Sequence, residues 1–389
     1  MTTNLKPKTK DILKQIPFLD LKSQQQRIKN QIEKAIKRVL DHGKYIMGPE
    51  VFELEEKLSS YSNVKNVITC SSGTDALMMV LMAKDVGPGD AIFLPSFTYT
   101  ATPEVVAILG ATPIFVDVIK STYNIDPNSL NNSLNLAKIK GLKPKGIIAV
   151  DLFGQPADYN NLEKIANQNN LWILADAAQS YGGEFFKKKV GKLAHATATS
   201  FFPAKPLGCY GDGGAIFTDN NELADVLRSI RVHGKGQHKY DNIRVGLNAR
   251  LDTVQAAILL EKMKIFDSEL KERQKCADYY DKYLGNFVEI PKIIKGAKSA
   301  WAQYTIQLPN KNVREILIKE LKKVGIPTMI YYEKPLHLQI AYEKFPRSNC
   351  LEVSEEISEK VLSLPLNLKY SSYIIDKFSE AFKIVNRSS

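Results

Sequence analysis

Apolar and polar positions along the first two thirds of the chain alternate between two periods, one typical of helices and one typical of buried strands. In QIEKAIKRVL the apolar residues recur with the spacing of one helix face. The segments NVITC, AIFLP, KGIIAV and LWILAD are short apolar runs bounded by turn residues, and helical patterns such as NNLEKIANQNN separate them. Strands and helices that alternate in this way predict a largely parallel sheet covered by helices.

The pattern changes after residue 250, where LDTVQAAILLEKMKIFDSELKERQKCADYYDKYL predicts one long helix. We expect this helix to lead into a second lobe, because WAQYTIQL then predicts a strand and NVREILIKELKKVG and SYIIDKFSEAFKIV predict helices. A chain of 389 residues is long enough for two lobes. We therefore predict a large domain over residues 1–260, with an N-terminal helical arm, and a smaller α+β domain over residues 261–389.

Composition indicates an ordinary globular protein, with 44% hydrophobic and 24% charged residues. No apolar run approaches the roughly 20 residues that a membrane helix needs. The first residues, MTTNLKPKTKDILKQ, lack the apolar core of a secretory signal, so we expect a cytoplasmic protein with no membrane partner. The net charge is +11, but the lysines are spread among acidic residues, which favours a solvated surface over a nucleic-acid site.

The four cysteines, Cys70, Cys209, Cys276 and Cys350, are widely separated, with no Cys-x-x-Cys pair and no histidine at ligand spacing. This spacing predicts free thiols in a reducing compartment and no metal site. The arginines are distributed differently: none occurs between residues 39 and 227, and four then follow within residues 228–250. Arginine recognises carboxylate and phosphate well, although a helix face and chance also account for such a cluster.

Unusual polar residues follow three of the predicted strands. In CSSGTDAL, Gly73 and Thr74 open a helix whose N–H groups and dipole favour an anion, although a simple helix cap has the same sequence. In ILADAAQS, Asp176 directly follows an apolar strand, and Gln179 comes three residues later. Burying that carboxylate without a cation or several donors would be costly, so it either meets them or caps a helix.

The third strand end is SFFPAKPLGCYGDGG, in which Lys205 lies between two prolines. It is either a surface lysine on a turn or an amine held in a pocket, where burial lowers the pKa of lysine and makes the amine a nucleophile. A phosphorylated aldehyde cofactor with a basic ring nitrogen requires a helix N-terminus, a carboxylate and a lysine. The three predicted strand ends supply these groups together, which is more specific than any one of them.

These segments, with PSFTYTATPE and NARLDTVQAAIL, resemble the sugar-nucleotide aminotransferases of the DegT/DnrJ/EryC1/StrS family. The resemblance covers nearly the whole chain and is strongest between Gly73 and Leu260. It implies fold type I of the enzymes dependent on pyridoxal 5′-phosphate (PLP), with a mainly parallel seven-stranded sheet flanked by helices and a smaller α+β C-terminal domain. It also implies PLP as cofactor, with pyridoxamine 5′-phosphate (PMP) as the intermediate form.

The resemblance assigns the contacts around the cofactor ring to four residues. Lys205 would hold PLP through its amine, and Asp176 would pair with the pyridinium nitrogen. Gln179 would contact the ring hydroxyl, and Tyr99 would stack on the ring face. Some relatives carry histidine in place of this lysine and are dehydratases, so Lys205 favours transamination.

The resemblance further implies a homodimer with shared active sites. Gly73, Thr74 and Ser200 would hold the cofactor phosphate from one subunit. Asn248 would touch the phosphate of the neighbouring subunit's cofactor, and Arg250 would bind a carboxylate of the amino donor or of the sugar.

For the substrate, RVHGKGQHKYDNIRVGLNARLDT is most similar to the subgroup that aminates C3 of UDP-2-acetamido-2-deoxy-3-oxo-D-glucuronate. That reaction takes its amino group from L-glutamate, yields 2-oxoglutarate, and serves surface polysaccharide such as the O-antigen of lipopolysaccharide. The chain departs from the subgroup at Tyr331-Tyr332, where a His-Tyr pair is expected. Tyr331, Tyr332 and His337 are candidate substrate contacts, although a loop histidine bonded to backbone is the simpler interpretation of His337.

Two alternatives remain open. One is an aminotransferase acting on a dTDP- or UDP-linked 3- or 4-keto-6-deoxysugar. The other, less favoured, is a regulatory protein that binds PLP without catalysis, because Lys205, Asp176, Gln179 and Ser200 are all present.

Overall fold

The computed structural model describes residues 16–238, 240–348 and 350–388, and its elements follow the predicted alternation. The helices are α1 (Leu21–Arg27), α2 (Lys29–His42), α3 (Pro49–Ser62), α4 (Gly73–Ala83), α5 (Ala101–Ile108), α6 (Pro127–Ile139), α7 (Tyr159–Gln168), α8 (Asn221–Ile230), α9 (Thr253–Leu284), α10 (Lys311–Lys323), α11 (Glu352–Lys360) and α12 (Ser371–Ser388). The strands are β1 (Asn66–Cys70), β2 (Asp90–Pro95), β3 (Thr112–Val116), β4 (Lys143–Val150), β5 (Trp172–Asp176), β6 (Glu184–Phe185), β7 (Lys188–Lys189), β8 (Ala196–Ser200), β9 (Gly214–Thr218), β10 (Ala297–Lys298), β11 (Tyr304–Gln307) and β12 (Val361–Leu364).

The main sheet has seven strands in the order β1-β9-β8-β5-β4-β2-β3. Strands β8, β5, β4, β2 and β3 pair in parallel, whereas β9 runs antiparallel to both β8 and β1. Strand β1 therefore points the same way as β5 and β8. As a result the carboxyl ends of β1, β5 and β8, which carry the three candidate segments, lie at one edge of the sheet, where ligands of α/β proteins bind.

Helices cover both faces of this sheet because alternate strand residues point to opposite sides. In β5, Leu174 packs in the core under α4, α5 and α8, whereas the adjacent Ile173 packs against α6 and α7. The same alternation divides Ile147 and Ile148 of β4 between the two cores. The strands are thus buried on both sides, which explains their continuous apolar sequences.

Helix α9 runs without interruption through residue 260, the predicted domain boundary. Its first part, through Phe266, packs in a cluster with α3 and β9, and its last part, from Cys276, packs in the C-terminal cluster. That cluster surrounds the antiparallel β11–β12 pair with α10 and α12. Leu336 and Leu351 belong instead to the core under α4, so the intervening segment returns to the main sheet.

Within the described ranges, no helix is both long and apolar enough to cross a membrane. The four cysteines carry free thiols, of which only that of Cys350 is exposed. No group of three or more histidine, cysteine or acidic side chains in the described part of the chain could hold a metal ion.

Candidate active site

Asp176 is the last residue of β5, and its carboxylate is buried at the edge where β1 and β8 also end. Its Oδ2 accepts a hydrogen bond from the Thr102 hydroxyl at 2.9 Å, and its Oδ1 accepts one from the Ala178 N–H at 3.2 Å. A turn follows it, so the carboxylate does not cap a helix. Burial raises the pKa of Asp176, and the two hydrogen bonds and the charge of Lys205 oppose that rise.

Lys205 lies in the loop that follows β8, with its N–H bonded to the Phe202 carbonyl at 2.9 Å. Burial lowers the pKa of its amine, whereas the nearby Asp176 carboxylate raises it. The residue also lines a cavity of about 500 Å³ between the β8 loop, α1 and α9, which Asp176 and the other predicted cofactor residues do not line. Lys205 is therefore a partly desolvated amine held near a buried carboxylate, not a free lysine on a surface turn.

The turn from β1 into α4 packs directly against the end of β8. Ser72 caps α4, its hydroxyl accepting a bond from the Asp75 N–H at 3.0 Å, so the first helical residues are Gly73 and Thr74. The first N–H groups of a helix have no partner within it, which leaves this terminus suited to an anion. A Cβ at Gly73 would lie 2.7 Å from the Cβ of Ser200, so only glycine fits between the turn and the strand.

Ser200 ends β8 opposite Gly214 of β9, and its Oγ accepts a bond from the Phe202 N–H at 3.2 Å. A Cβ at Gly214 would collide with the Ser72 carbonyl. The close approach of Gly73, Ser200 and Gly214 thus brings together the predicted phosphate residues Gly73, Thr74 and Ser200, although they are far apart in sequence.

Gln179 is held from both ends of its side-chain amide. Its Oε1 accepts from the Phe153 N–H at 2.6 Å, and its Nε2 donates to the Tyr332 hydroxyl at 3.1 Å. The centroid of the Tyr332 ring lies 6.4 Å from that of the Tyr99 ring and 5.9 Å from that of the Phe97 ring. Tyr99 itself is 57% exposed. The structure therefore brings Tyr332 beside the predicted ring contacts Gln179 and Tyr99.

Asn248 and Arg250 lie at a different cavity, of about 470 Å³, together with Ser71 and Asp212. Their segment is tied to the end of β1 by the Ser71 N–H, which donates to the Ala249 carbonyl at 3.2 Å. The Arg250 Nε is buried and has no hydrogen-bond partner in the described part of the chain. Lys205 does not line this cavity.

The two remaining candidates for substrate contact are placed differently. Tyr331 packs against the ring of Phe18 with centroids 6.4 Å apart. His337 is 1% exposed, and its two ring nitrogens lie at hydrogen-bond distance from Ser96 and Glu355. Its partners are side chains rather than backbone, and they engage both of its ring nitrogens.

Two contacts of the site have no signal in the sequence. Thr102 lies in an apolar helix, and only the demand of a buried carboxylate for donors points to such a residue. The bond between Tyr332 and Gln179 joins segments 153 residues apart. Neither pair could be found by spacing.

The donor set fits PLP. A buried carboxylate suits the protonated ring nitrogen, a desolvated lysine suits the aldehyde, and the N-terminus of α4 beside Ser200 suits the phosphate. The glycine at position 73 keeps that terminus within contact of Ser200. A mainly parallel seven-stranded sheet with these groups at its carboxyl edge defines the class of PLP-dependent enzymes of fold type I.

The comparisons place the chain within that class. The model of the DegT/DnrJ/EryC1/StrS aminotransferase family matches residues 26–383, and the chain belongs to this family. It is 46% identical over 360 residues to a UDP-2-acetamido-2-deoxy-3-oxo-D-glucuronate aminotransferase of Pseudomonas aeruginosa, covering 90% of this chain and 95% of the relative. It is 36% identical over 373 residues to a dTDP-3-amino-3,6-dideoxy-alpha-D-galactopyranose transaminase of Aneurinibacillus thermoaerophilus, covering 96% and 99%.

Solved structures agree. A DegT/DnrJ/EryC1/StrS aminotransferase from Brucella abortus superimposes with a TM-score of 0.91 at 48% identity, covering 95% of this chain and 98% of that one. A Bacillus subtilis protein solved with bound cofactor PMP gives a TM-score of 0.86 at 30% identity, covering 96% and 85%. The family, the fold class, the assignment as an aminotransferase and PLP as cofactor, all predicted from the sequence, are confirmed.

Proposed function

We propose that this chain transfers the amino group of L-glutamate to C3 of UDP-2-acetamido-2-deoxy-3-oxo-D-glucuronate. The observation that carries transamination is that Asp176 ends β5 and Lys205 lies in the loop after the neighbouring β8, so the buried carboxylate and the amine lie at the same edge of the sheet. The choice of sugar is supported by the 46% identity to the Pseudomonas aeruginosa relative that bears this substrate's name.

The roles of the residues follow from their surroundings. Bound PLP supplies an aldehyde that takes up the amino group and a ring that accepts electrons from the carbon that loses a proton. Asp176, held by Thr102, keeps a negative charge beside the ring nitrogen and so keeps that nitrogen protonated. Lys205 Nζ, with its lowered pKa, would remove a proton from the α-carbon of glutamate as a free amine and, as an ammonium group, deliver it to the cofactor carbon that carries the amino group. The same transfer in reverse completes the ping-pong cycle on the ketosugar.

A homodimer with shared sites completes the proposal. Asn248 is exposed, and the Arg250 Nε is buried at a cavity without a partner in the described part of the chain. Ile46, an exposed apolar residue, lines the same cavity. A second subunit docked here would cover Ile46 and bring Asn248 to the phosphate site of its neighbour, while Arg250 would bind a carboxylate of glutamate or of the uronate.

We place the reaction in the cytoplasm, in the synthesis of surface polysaccharide such as O-antigen. Three buried free thiols, those of Cys70, Cys209 and Cys276, suit a reducing compartment.

A second candidate is amination of a dTDP- or UDP-linked keto-6-deoxysugar. It is favoured by the 36% identity to the Aneurinibacillus transaminase and by Tyr331, which stands where the glucuronate subgroup is expected to have histidine. A regulatory role without catalysis is disfavoured by the intact pair of Lys205 and Asp176.

The reverse reaction separates these candidates. The PLP-loaded enzyme is mixed with 2-oxoglutarate and, in separate assays, the UDP-linked 3-amino glucuronate and a dTDP-linked 3-amino-6-deoxy sugar, and glutamate is measured. We expect glutamate from the first sugar, with kcat/KM at least about tenfold above that of the second. Lys205→Ala should abolish glutamate formation, whereas Lys188→Ala, which changes an exposed lysine of β7, should leave it unchanged. Preference for the 6-deoxy sugar would replace the glucuronate proposal, and turnover by Lys205→Ala would overturn transamination through this lysine.

A further inference from the structure

His337 joins three elements that are remote in sequence. Its Nδ1 lies 2.5 Å from the hydroxyl of Ser96, the residue that follows β2, and its Nε2 lies 3.0 Å from the carboxylate of Glu355 in α11. The ring is 1% exposed and Ser96 is fully buried, so water does not compete for the Ser96 bond, whereas the Glu355 side chain is 52% exposed. The chemistry described above assigns no role to this buried histidine.

The two partners fix the tautomer. An ionised Glu355 only accepts hydrogen bonds, so Nε2 carries the hydrogen and donates it. Nδ1 is then the acceptor, and the Ser96 hydroxyl donates to it. Burial favours this neutral form by lowering the pKa of His337, while Glu355 opposes that effect. A neutral ring with one donor and one acceptor matches both partners, so the arrangement holds a single orientation.

This contact connects the segments that carry the aromatic wall of the active site. The Leu336 N–H donates to the Ser96 carbonyl at 2.9 Å, beside the histidine contact. Ser96 leads directly into Phe97 and Tyr99, and Leu336 follows Tyr332 by four residues. The rings of Phe97 and Tyr99 both lie against Tyr332, whose hydroxyl accepts from Gln179.

The helix that carries Glu355, α11, is itself bonded to the end of a strand of the main sheet. Asp117, immediately after β3, accepts bonds from the N–H groups of Val353 and Ser354 at 3.0 and 2.8 Å and from the Ser354 hydroxyl at 2.6 Å. These bonds fix the first turn of α11, and Glu355 is the residue after Ser354 in that turn. The side-chain contacts thus run from β3 through α11 and His337 to the end of β2.

We propose that His337 is a positioning residue. By bonding to both Ser96 and Glu355, it keeps the rings of Tyr332 and Tyr99 in place beside Gln179. It does not touch substrate and acts through the aromatic wall. The proposal rests on the aminotransferase function, but not on which ketosugar is the substrate.

A double-mutant cycle tests whether His337 acts through Tyr332. The variants are His337→Phe, Tyr332→Phe and the pair, assayed with whichever nucleotide sugar the wild-type enzyme turns over. We expect each single change to lower kcat/KM about tenfold, and His337→Phe to cost no more than about twofold further in the Tyr332→Phe background. Losses that multiply to about a hundredfold would overturn the proposal.

Hydrogen–deuterium exchange of the cofactor-free protein gives a readout that is independent of catalysis. In His337→Phe, peptides covering residues 96–100 and 329–338 should exchange at least about fivefold faster, because the Leu336–Ser96 bond opens more often. Unchanged exchange in both peptides would contradict the proposal.

Two further variants keep the test decisive. His337→Asn retains an acceptor near the position of Nδ1 and should recover a third or more of the activity lost in His337→Phe, whereas no recovery would contradict the role of the Ser96 bond. If His337→Phe does not fold, Ser96→Ala takes its place in the same cycle.

The matched control is His195→Phe. His195 lies at the amino end of β8, and its Nδ1 accepts a hydrogen bond from the Ile173 N–H at 3.1 Å. It should leave both peptides and kcat/KM unchanged, and an effect equal to that of His337→Phe would show a general loss of packing and overturn the proposal.

Discussion

The hydroxyl of Thr102 donates to Oδ2 of Asp176 at 2.9 Å, and both residues are buried at the carboxyl edge of the sheet. The bond stabilises the charged form of a carboxylate that burial would otherwise protonate. Under the proposed function, Thr102 therefore tunes the pKa of the carboxylate that would keep the cofactor ring nitrogen charged, without itself reaching the reacting atoms.

Thr102→Val keeps the volume of the side chain and removes the donor, so the pKa of Asp176 should rise further. The carboxylate would then become protonated at a higher pH. The acid limb of the plot of kcat against pH should therefore shift to higher pH, and kcat at neutral pH should fall about tenfold. The pH dependence of kcat measures this. Thr102→Ser retains the hydroxyl and should behave as wild type, and a Thr102→Val profile that superimposes on the wild-type profile would contradict the role of the bond.

The positions of Asp176 and Lys205 could be predicted because each follows an apolar strand, and parallel strands place their carboxyl ends together. Their partners could not. Thr102 lies 74 residues from Asp176, and nothing in its helix distinguishes it from a structural threonine. Local pattern gives the element on which a residue lies, whereas contacts between segments depend on how strands are ordered in the sheet.

Gly73→Ala should weaken PLP binding. The added Cβ would lie 2.7 Å from the Cβ of Ser200, so the α4 turn must move away from β8. We expect the dissociation constant for PLP, measured from the visible absorbance on titration, to rise tenfold or more. Gly87→Ala is the matched control, since a Cβ there meets no atom within 4 Å. Equal affinities in the two variants would show that the turn does not hold the phosphate.

Lys262 in α9 is 2% exposed, and burial lowers the pKa of its amine to about 8 from an ordinary 10.5. Between these two pH values the unfolded chain binds more protons than the folded chain, so stability should rise with pH through this window. At pH 7 the folded protein carries the whole cost of the buried charge. Lys262→Met should therefore be more stable than wild type by about 1 to 3 kcal/mol at pH 7, with a smaller gain at pH 10.

Urea denaturation at the two pH values measures the gain. Lys264→Met is the control, because that side chain is 66% exposed and pairs with Glu261 on the same helix. It should show no gain that depends on pH. A Lys262→Met gain of the same size at pH 7 and pH 10 would contradict the burial cost.

The domain boundary and the surroundings of His337 illustrate what the sequence pattern does not resolve. The helical period continues through residue 260, so periodicity cannot show where α9 leaves the core that contains Phe266 and enters the one that contains Cys276. His337 was expected to bond to backbone, as loop histidines often do. Its side-chain partners are instead 241 and 18 residues away, and only the folded chain brings them together.

The proposed sharing of active sites between two subunits predicts complementation between inactive chains. Lys205→Ala lacks the amine and Arg250→Ala lacks the proposed carboxylate contact, so each homodimer should be nearly inactive. After unfolding and refolding of an equal mixture, half of the dimers are mixed and each has one intact site, so about a quarter of the wild-type activity should return. Activity no greater than the mean of the two separate variants would contradict a site built from both subunits.

The assignment of Lys205 as the residue that holds PLP is tested most directly by reduction with borohydride. The protein is loaded with PLP, reduced and digested, and the phosphopyridoxyl group is located by mass spectrometry. We predict the label on the peptide that contains Lys205, in near-stoichiometric amount, and its loss in Lys205→Arg. A label on another lysine such as Lys262, or no label on a protein saturated with PLP, would contradict the assignment.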